Sequence, residues 1–331
     1  MRTILILLLF LPLAGPTLAA DGVLEINQVC AAQSGCFKGD TPGFPVTLAA
    51  SSHRLTSDLA PPPDTAAIDG VASNVRLDLA GFSMIGSTVG GAANGISFQG
   101  SHWEIRGGTV RNFSGSGISQ SNAGDTGVSI VDMRLHDNGG SGAVVYDGAH
   151  IMDSHAHDNG GNGFWMIGEG ARISASASRG NGNAGLITGD AASVVDFSSI
   201  NSGVLGIASG NGSSLSNLTV FKSGGISGVS CGNGCKIDGV TTAMNMTHGM
   251  LVGDGATISD VSAYSNGSVG VICGDGCNLT KIVSHSNTTG ALSVGTNSGY
   301  SECVLTGATT VSGGTAIGNR LNICNGSVIC P

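Results

Sequence analysis

Basic residues are scarce in this 331-residue chain, with 13 Lys and Arg against 22 Asp and Glu. Without Arg2, which belongs to a leader segment, 12 basic residues face 22 acidic ones, a net charge of −10. A surface of that sign argues against nucleic acid and against an anionic membrane as partners. It leaves room only for a local basic patch to hold an acidic ligand. Helix signals are missing, since no stretch carries a long apolar period of 3.6 residues with caps. Beyond the first twenty residues no apolar run is long enough to cross a bilayer. Charged residues make up 11% and aromatic residues 4%, while glycine reaches 56. That profile alone would suit a low-complexity chain, but the 40% hydrophobic content recurs at a fixed period and so predicts a core.

The opening MRTILILLLFLPLAGPTLAA has the parts of a secretory signal: Arg2, the apolar run Ile4 to Leu11, and small residues at Leu18-Ala19-Ala20. The expectation is a mature chain from Asp21, secreted or periplasmic, with no lipid anchor because no Cys stands at the cleavage point. Nine cysteines in an exported chain suggest disulfides. Cys231–Cys235 and Cys273–Cys277 occupy equivalent slots two units apart, too far at roughly 9.6 Å to bridge within the usual limit of about 7 Å. Each pair is therefore expected to close its own turn. Cys30–Cys36 and Cys324–Cys330 are expected as terminal staples, leaving Cys303 odd. Neither CxxxC pair has the neighbouring His or Cys that zinc would need.

What the chain does have is a repeat. Units open at Gly117, Gly142, Gly163, Gly185, Gly206, Gly228, Gly249 and Gly270, at gaps of 25, 21, 22, 21, 22, 21 and 21 residues. A period in the twenties marks a solenoid, in which each unit buries its apolar face against its neighbours. Short apolar alternations separated by Gly-Asp-Gly or Gly-Asn-Gly read as strands joined by tight turns, which predicts an all-β parallel β-helix of about eleven coils. Asn138, Asn159, Asn181, Asn245, Asn266 and Asn287 share one column, interrupted by Ser202 and Ser223, and are expected to form a hydrogen-bonded stack. The turn column Asp147, Asp190, Asn211, Asn233, Asp254 and Asp275 suggests Ca²⁺ as a cofactor, against turn chemistry alone as its explanation. The expected layout is a signal peptide at 1–20, an N-terminal cap at 21–65, the β-helix at 66–315 and a C-terminal cap at 316–331.

The segments Gly43-Phe44-Pro45-Val46-Thr47, Arg54 to Leu59 and Val75-Arg76-Leu77-Asp78-Leu79-Ala80-Gly81-Phe82 resemble the opening of bacterial right-handed parallel β-helix repeat proteins of the pectin-lyase-like fold. The usual pattern there is Asp-Leu-Asn-Gly-Phe, and Ala80 replaces the Asn. Val110-Arg111-Asn112-Phe113 and the repeats extend the likeness across residues 40–315. The resemblance implies right-handed coiling, and it implies no single activity, because that family includes lyases, hydrolases and epimerases. The Asp-Asp step of its polygalacturonase-type hydrolases is absent, as is the Tyr-Gly-Phe-Asp-Pro-His-type motif of its mannuronan epimerases. Long loops that would wall a cleft are also missing.

One stretch is richer in chemistry than the repeat requires. Asp132-Met133-Arg134-Leu135-His136-Asp137-Asn138 lies one unit before Asp153-Ser154-His155-Ala156-His157-Asp158-Asn159. Strand alternation turns Met133 and Leu135 inward and Asp132, Arg134 and His136 outward. Arg111 and Arg179 extend the His136 column on either side. This patch admits three readings. It is a solvated face of mutually neutralising charges, or a polysaccharide groove, or a metal site through His155 and His157. Within the groove reading, Arg111, Arg179, His155, Asp137 and Asp158 bind substrate. If it is also catalytic, His136 or His157 serves as base, with Asp132, Asp153 and Arg134 in support. Trp103 and Trp165 could each offer a ring to a sugar, with Trp165 assigned preferentially to the core. The leading function is recognition of an extended polysaccharide along one outward face. The alternatives are a polysaccharide lyase or hydrolase using His136 and His157, and a structural or adhesive surface protein.

Overall fold

A computed structural model describes residues 22–49, 51–313, 315–316 and 322–325. The proposed signal peptide and most of the C-terminal segment fall outside these. A typical coil consists of one long strand bent in the middle and one short strand: Ser129–His136 then Ala143–Val145, and Arg172–Arg179 then Ala184–Thr188. In the coil between them the long strand is divided into His150–Met152 and His155–His157, followed by Phe164–Met166. The bend falls on one residue with left-handed backbone, at φ 52° for Asp132, 50° for Asp153 and 48° for Ala175. Each segment pairs in parallel with its counterpart one coil away. Three faces result: the first before the bend, the second after it, and the third on the short strand.

The stack is an all-β solenoid of about 13 turns rather than eleven. The difference arises because parallel pairing reaches back into the expected cap, where Leu24↔His53 and Arg54↔Asp78 are in register, and forward to Tyr300↔Ala316. At about 4.8 Å per coil the rod is roughly 60 Å long.

Inward positions are filled by small and medium apolar side chains; Ile130, Met133, Leu135, Ala143 and Val145 have no exposed surface. Spacing alone does not explain the recurrent glycine. A Cβ on Gly163 would lie 2.5 Å from the Gly185 carbonyl oxygen and 2.8 Å from Asn181 Nδ2, so this column is glycine because there is no room beside the asparagines. The last glycine of each Gly-Asp-Gly turn has another reason. Gly255 has open space around it but a φ of +66°.

The asparagine column is the hydrogen-bonded stack expected of it. Asn138 Nδ2 donates to Asn159 Oδ1 at 3.0 Å, and Asn159 Nδ2 donates to Asn181 Oδ1 at 3.0 Å. Asn245, Asn266 and Asn287 repeat the arrangement at 2.9 Å per step. Where serine interrupts it, Ser199 Oγ and Ser202 Oγ bond to each other at 2.9 Å. The acidic turn column is a second ladder, in which each carboxylate or amide oxygen accepts the backbone N–H of the turn above. Asp190 Oδ1 takes the Asn211 N–H at 2.7 Å, Asp254 Oδ1 the Asp275 N–H at 2.8 Å, and Asp275 Oδ1 the Thr296 N–H at 2.7 Å. Asp at these tips therefore has a backbone role, its side-chain oxygen accepting the N–H of the next turn.

Cys30–Cys36, Cys231–Cys235 and Cys273–Cys277 are bridged, with Cα separations of 4.7, 6.4 and 6.4 Å. The expected Cys324–Cys330 bridge involves Cys330, outside the described residues. Cys303 is a buried free thiol whose pKa is pushed up by burial. The two tryptophans reverse their expected places. Trp103 is 1% exposed and stacks on Phe98 at 4.6 Å, so it offers no ring to solvent. Trp165, assigned preferentially to the core, is 40% exposed, because Phe164 and Met166 take the inward positions on either side of it.

Candidate functional site

The second face carries the residues singled out in the sequence, in the register expected. Arg111, His136, His157 and Arg179 stand directly beside one another on four successive coils, and Thr109, Arg134, His155 and Ala177 form the next column. The inward neighbours Leu135 and Ala156 anchor the strand, so the outward side chains project from a packed floor.

His136 and His157 lie face to face, with ring centroids 4.6 Å apart and planes within 6°. Each ring is held by the carboxylate that follows it in sequence: His136 Nδ1 is 2.7 Å from Asp137 Oδ2 and His157 Nδ1 is 3.0 Å from Asp158 Oδ2. Both aspartates have left-handed backbone at φ 55°, which is how a residue adjacent in sequence turns back toward its neighbour's ring. In the neutral imidazole a carboxylate at Nδ1 fixes the proton there and leaves Nε2 as the acceptor. The result is two parallel Asp–His pairs on consecutive coils, each braced from behind by the asparagine ladder that begins one residue later.

Asp132 and Asp153 are placed differently from the sequence expectation. Alternation puts them on the same face as Arg134 and His136, whereas they occupy the left-handed bends and stand on the ridge between the first and second faces. A left-handed residue resets the period of two, so Val131 and Asp132 both lie off the core. Among the described residues Arg111, Arg134 and Arg179 form no ion pair; within this patch the carboxylates of Asp137 and Asp158 are turned to the histidine rings instead. The mutual neutralisation expected of a merely solvated face is therefore incomplete. His155 and His157 share a strand, but no group of three or more His, Cys, Asp or Glu among the described residues is placed to hold a metal ion.

The sequence reading missed the groups next to this patch. A notch of about 560 Å³ lies where the first and second faces meet, lined by Asp78, Arg106, Thr109, Asp132 and Arg134, with Ala80, Gly81, Gly107 and Gly108 leaving it open. Asp78 is clamped by Arg106 at 2.8 Å, Arg54 at 3.7 Å and the Ala80 N–H at 2.9 Å. Burial alone would raise its pKa, but the Ala80 N–H and the two guanidinium groups outweigh it and hold the carboxyl below its usual value. A second hollow of about 510 Å³ runs over His155, His157, Arg179 and Ser198, and Arg134 lines both. The three-coil register Arg54↔Asp78↔Arg106 was the available signal. It went unread because the expected cap boundary at residue 65 separated Arg54 from its partners.

No protein-family model matches the chain, and no curated protein matches it in sequence. Solved structures do. The A-module of the mannuronan C-5 epimerase AlgE4 from Azotobacter vinelandii superimposes over 79% of this chain and 81% of its own, with a TM-score of 0.53 and 13% identity. The fold is the pectin-lyase-like right-handed parallel β-helix. The periplasmic alginate epimerase AlgG and pectate lyase Pel9A also match, at TM-scores of 0.45 and 0.37 with 13% and 14% identity. The former covers 82% of this chain and 73% of its own, and the latter 90% and 68%. At such identities the likeness concerns the path of the chain, and the side chains have to speak for themselves.

Proposed function

We propose that this β-helix, exported to the periplasm or beyond, binds an extended anionic polysaccharide along its second face, between Arg111 and Arg179. The observation that carries this reading is the set of three arginines with no carboxylate partner among the described residues, arranged around the stacked histidines. Guanidinium groups free of internal partners are suited to paired hydrogen bonds with carboxylate or sulfate. Arg111 and Arg179 are three coils apart, about 14 Å, so one ligand chain lying along the rod reaches both. Arg134, shared by the two hollows, lets the same chain continue into the notch. Four aspartates (Asp132, Asp137, Asp153 and Asp158) oppose the three arginines at neutral pH. Mannuronan, the polymer that appears in the name of the epimerase sharing the fold, is an acidic polysaccharide of this class; that likeness bears on fold alone.

The test is retention of the protein on polygalacturonate and dextran sulfate, with uncharged dextran as the control. A charge-assisted contact contributes about 1.5–3 kcal/mol, so Arg134→Ala is expected to weaken binding roughly tenfold or more. Equal retention on uncharged dextran, or unchanged affinity in a variant lacking Arg111, Arg134 and Arg179, refutes the reading.

A second reading has one specific observation in its favour, the doubled Asp–His pair. With its Nδ1 proton held by Asp137 or Asp158, the Nε2 of His136 or His157 is able to take a proton from a bound sugar. Arg134 would then stabilise the charge that develops, and Asp132 or Asp153 would serve as acid or ligand from the ridge. Shortening of the polymer by the wild-type chain, lost in both His136→Ala and His157→Ala, would establish an enzyme. Retention with no change in chain length or composition leaves a binding protein.

A further inference from the structure

The third face has a chemistry unlike the other two. From Ser97 to Ser293 its outward column holds no charged residue, over nine inter-strand steps or about 43 Å. Its middle is apolar, with Val144, Trp165 and Ile187 in direct register. Tyr146 and Ile167 stand two residues further along, just past the ends of those strands, and Tyr146 is a diagonal neighbour of Trp165 at about 8 Å. These side chains are partly exposed, Trp165 most of all. An exposed apolar strip on a soluble protein commonly marks a contact surface.

Shape and charge together specify the occupant. The strip is one short strand wide, three residues or about 10 Å, so its footprint is roughly 430 Å² against the ~800 Å² per partner of a stable protein interface. A second copy of the chain would find too little area there. The turn that follows each strand borders the strip with carboxylates, Asp147, Glu169 and Asp190, linked coil to coil by the Glu169 N–H on Asp147 Oδ1 at 2.8 Å. That border repels a polyanion, the opposite of the second face. It suits a neutral pyranose chain, whose apolar ring faces pack on Trp165 and the aliphatic side chains while hydroxyls donate to the carboxylates. We propose that the third face is a separate site for a neutral pyranose glycan, centred on Trp165. It stands independently of the anionic site.

Cellohexaose is the probe. Trp165 is the solvent-accessible tryptophan and Trp103 is buried, so binding is expected to shift the emission of the wild-type chain and protect it from acrylamide quenching. Calorimetry should show affinity falling about tenfold or more in Trp165→Ala, the scale of a lost aromatic stacking contact, and falling also in Glu169→Gln. Arg134→Ala should leave it unchanged. Trp165 lies outside the core, so the melting temperature of Trp165→Ala should stay at the wild-type value. The quenching experiment decides the matter in the wild-type chain if that variant does not fold. Absence of any cellohexaose effect, or equal affinity in Trp165→Ala, overturns the proposal. So does concentration-dependent self-association in sedimentation velocity that disappears with Trp165.

Discussion

Replacing Asn159 with alanine tests whether the asparagine ladder bears the stability of the coils that present the histidines. The side chain makes four hydrogen bonds. Its Oδ1 accepts the Asn138 backbone N–H at 3.2 Å and Asn138 Nδ2 at 3.0 Å. Its Nδ2 donates to the Leu135 carbonyl and to Asn181 Oδ1, both at 3.0 Å. The site is fully inside, with Asn138, Asn159 and Asn181 each no more than 2% exposed, so water does not readily replace a lost partner. An orphaned buried donor such as the Asn138 N–H costs about 1–3 kcal/mol, and each other lost bond about 0.5–1.5. Asn138 Nδ2 keeps its bond to the Val110 carbonyl at 3.2 Å, which limits the total. The sum is on the order of 3 kcal/mol. Because the shift in melting temperature per kcal/mol shrinks with chain size, urea denaturation is the better assay, read as a lower midpoint at constant slope. Faster hydrogen exchange at the Asn138 amide would locate the damage, and His157→Ala, on the solvent side of the same coil, serves as the control. A cost under about 1 kcal/mol with unchanged exchange at Asn138 refutes the reasoning, because the orphaned donor alone should exceed it.

Two further outcomes concern the N-terminal coils. His53 is 1% exposed and its Nδ1 has no hydrogen-bond partner. Burial lowers its pKa, against the opposing pull of the Ala49 carbonyl and Asp40. The stability it contributes is therefore present above the unfolded value near 6.5 and lost as pH falls through the lower folded value. The melting temperature should drop between pH 7.5 and pH 5, and drop less in His53→Gln; equal slopes would refute the assignment. Ala80 holds a left-handed backbone at φ 50°, a conformation that costs a Cβ-bearing residue about 1–2 kcal/mol and that Asn tolerates better. Ala80→Asn should raise the unfolding free energy by about 1 kcal/mol, read as a higher urea midpoint at constant slope, and a lowered midpoint would contradict that account.

The fold was legible because the repeat reports the core directly. Inward Met133 and Leu135, the asparagine column and the register of Arg111, His136, His157 and Arg179 all follow from counting residues along the repeat, whose gaps are 21 or 22 after a first one of 25. What the count could not supply was the bend. Period-two alternation assumes an unbroken strand, and the left-handed residues at Asp132 and Asp153 break it, moving two carboxylates from the face to the ridge. Trp165 went astray for a related reason. Phe164, Trp165 and Met166 are all apolar, and a run with no polar residue in it does not say which member points inward. The Asp78 clamp was hidden by irregular spacing, since its coils span 24 and 28 residues before the regular period begins.

In such a rod, columns separate structure from recognition. Every side chain in the asparagine column bonds to the coil above or below, and the acidic turns do the same, so a substitution there acts on folding. Outward columns carry no such obligation. Ala177, Ser198 and Thr219 succeed Arg134 and His155 along one column with no change in backbone pairing. The cluster of arginine and histidine on four coils therefore cannot be attributed to the needs of the fold. The same holds for the uncharged strip around Trp165, which the fold would tolerate equally well with polar side chains. Two faces thus depart from blandness in opposite senses, one toward cations and the other toward apolar surface. A rod that met a single kind of ligand would need only one of them, so binding of an anionic and a neutral glycan should be separable, each abolished by substitutions that leave the other intact.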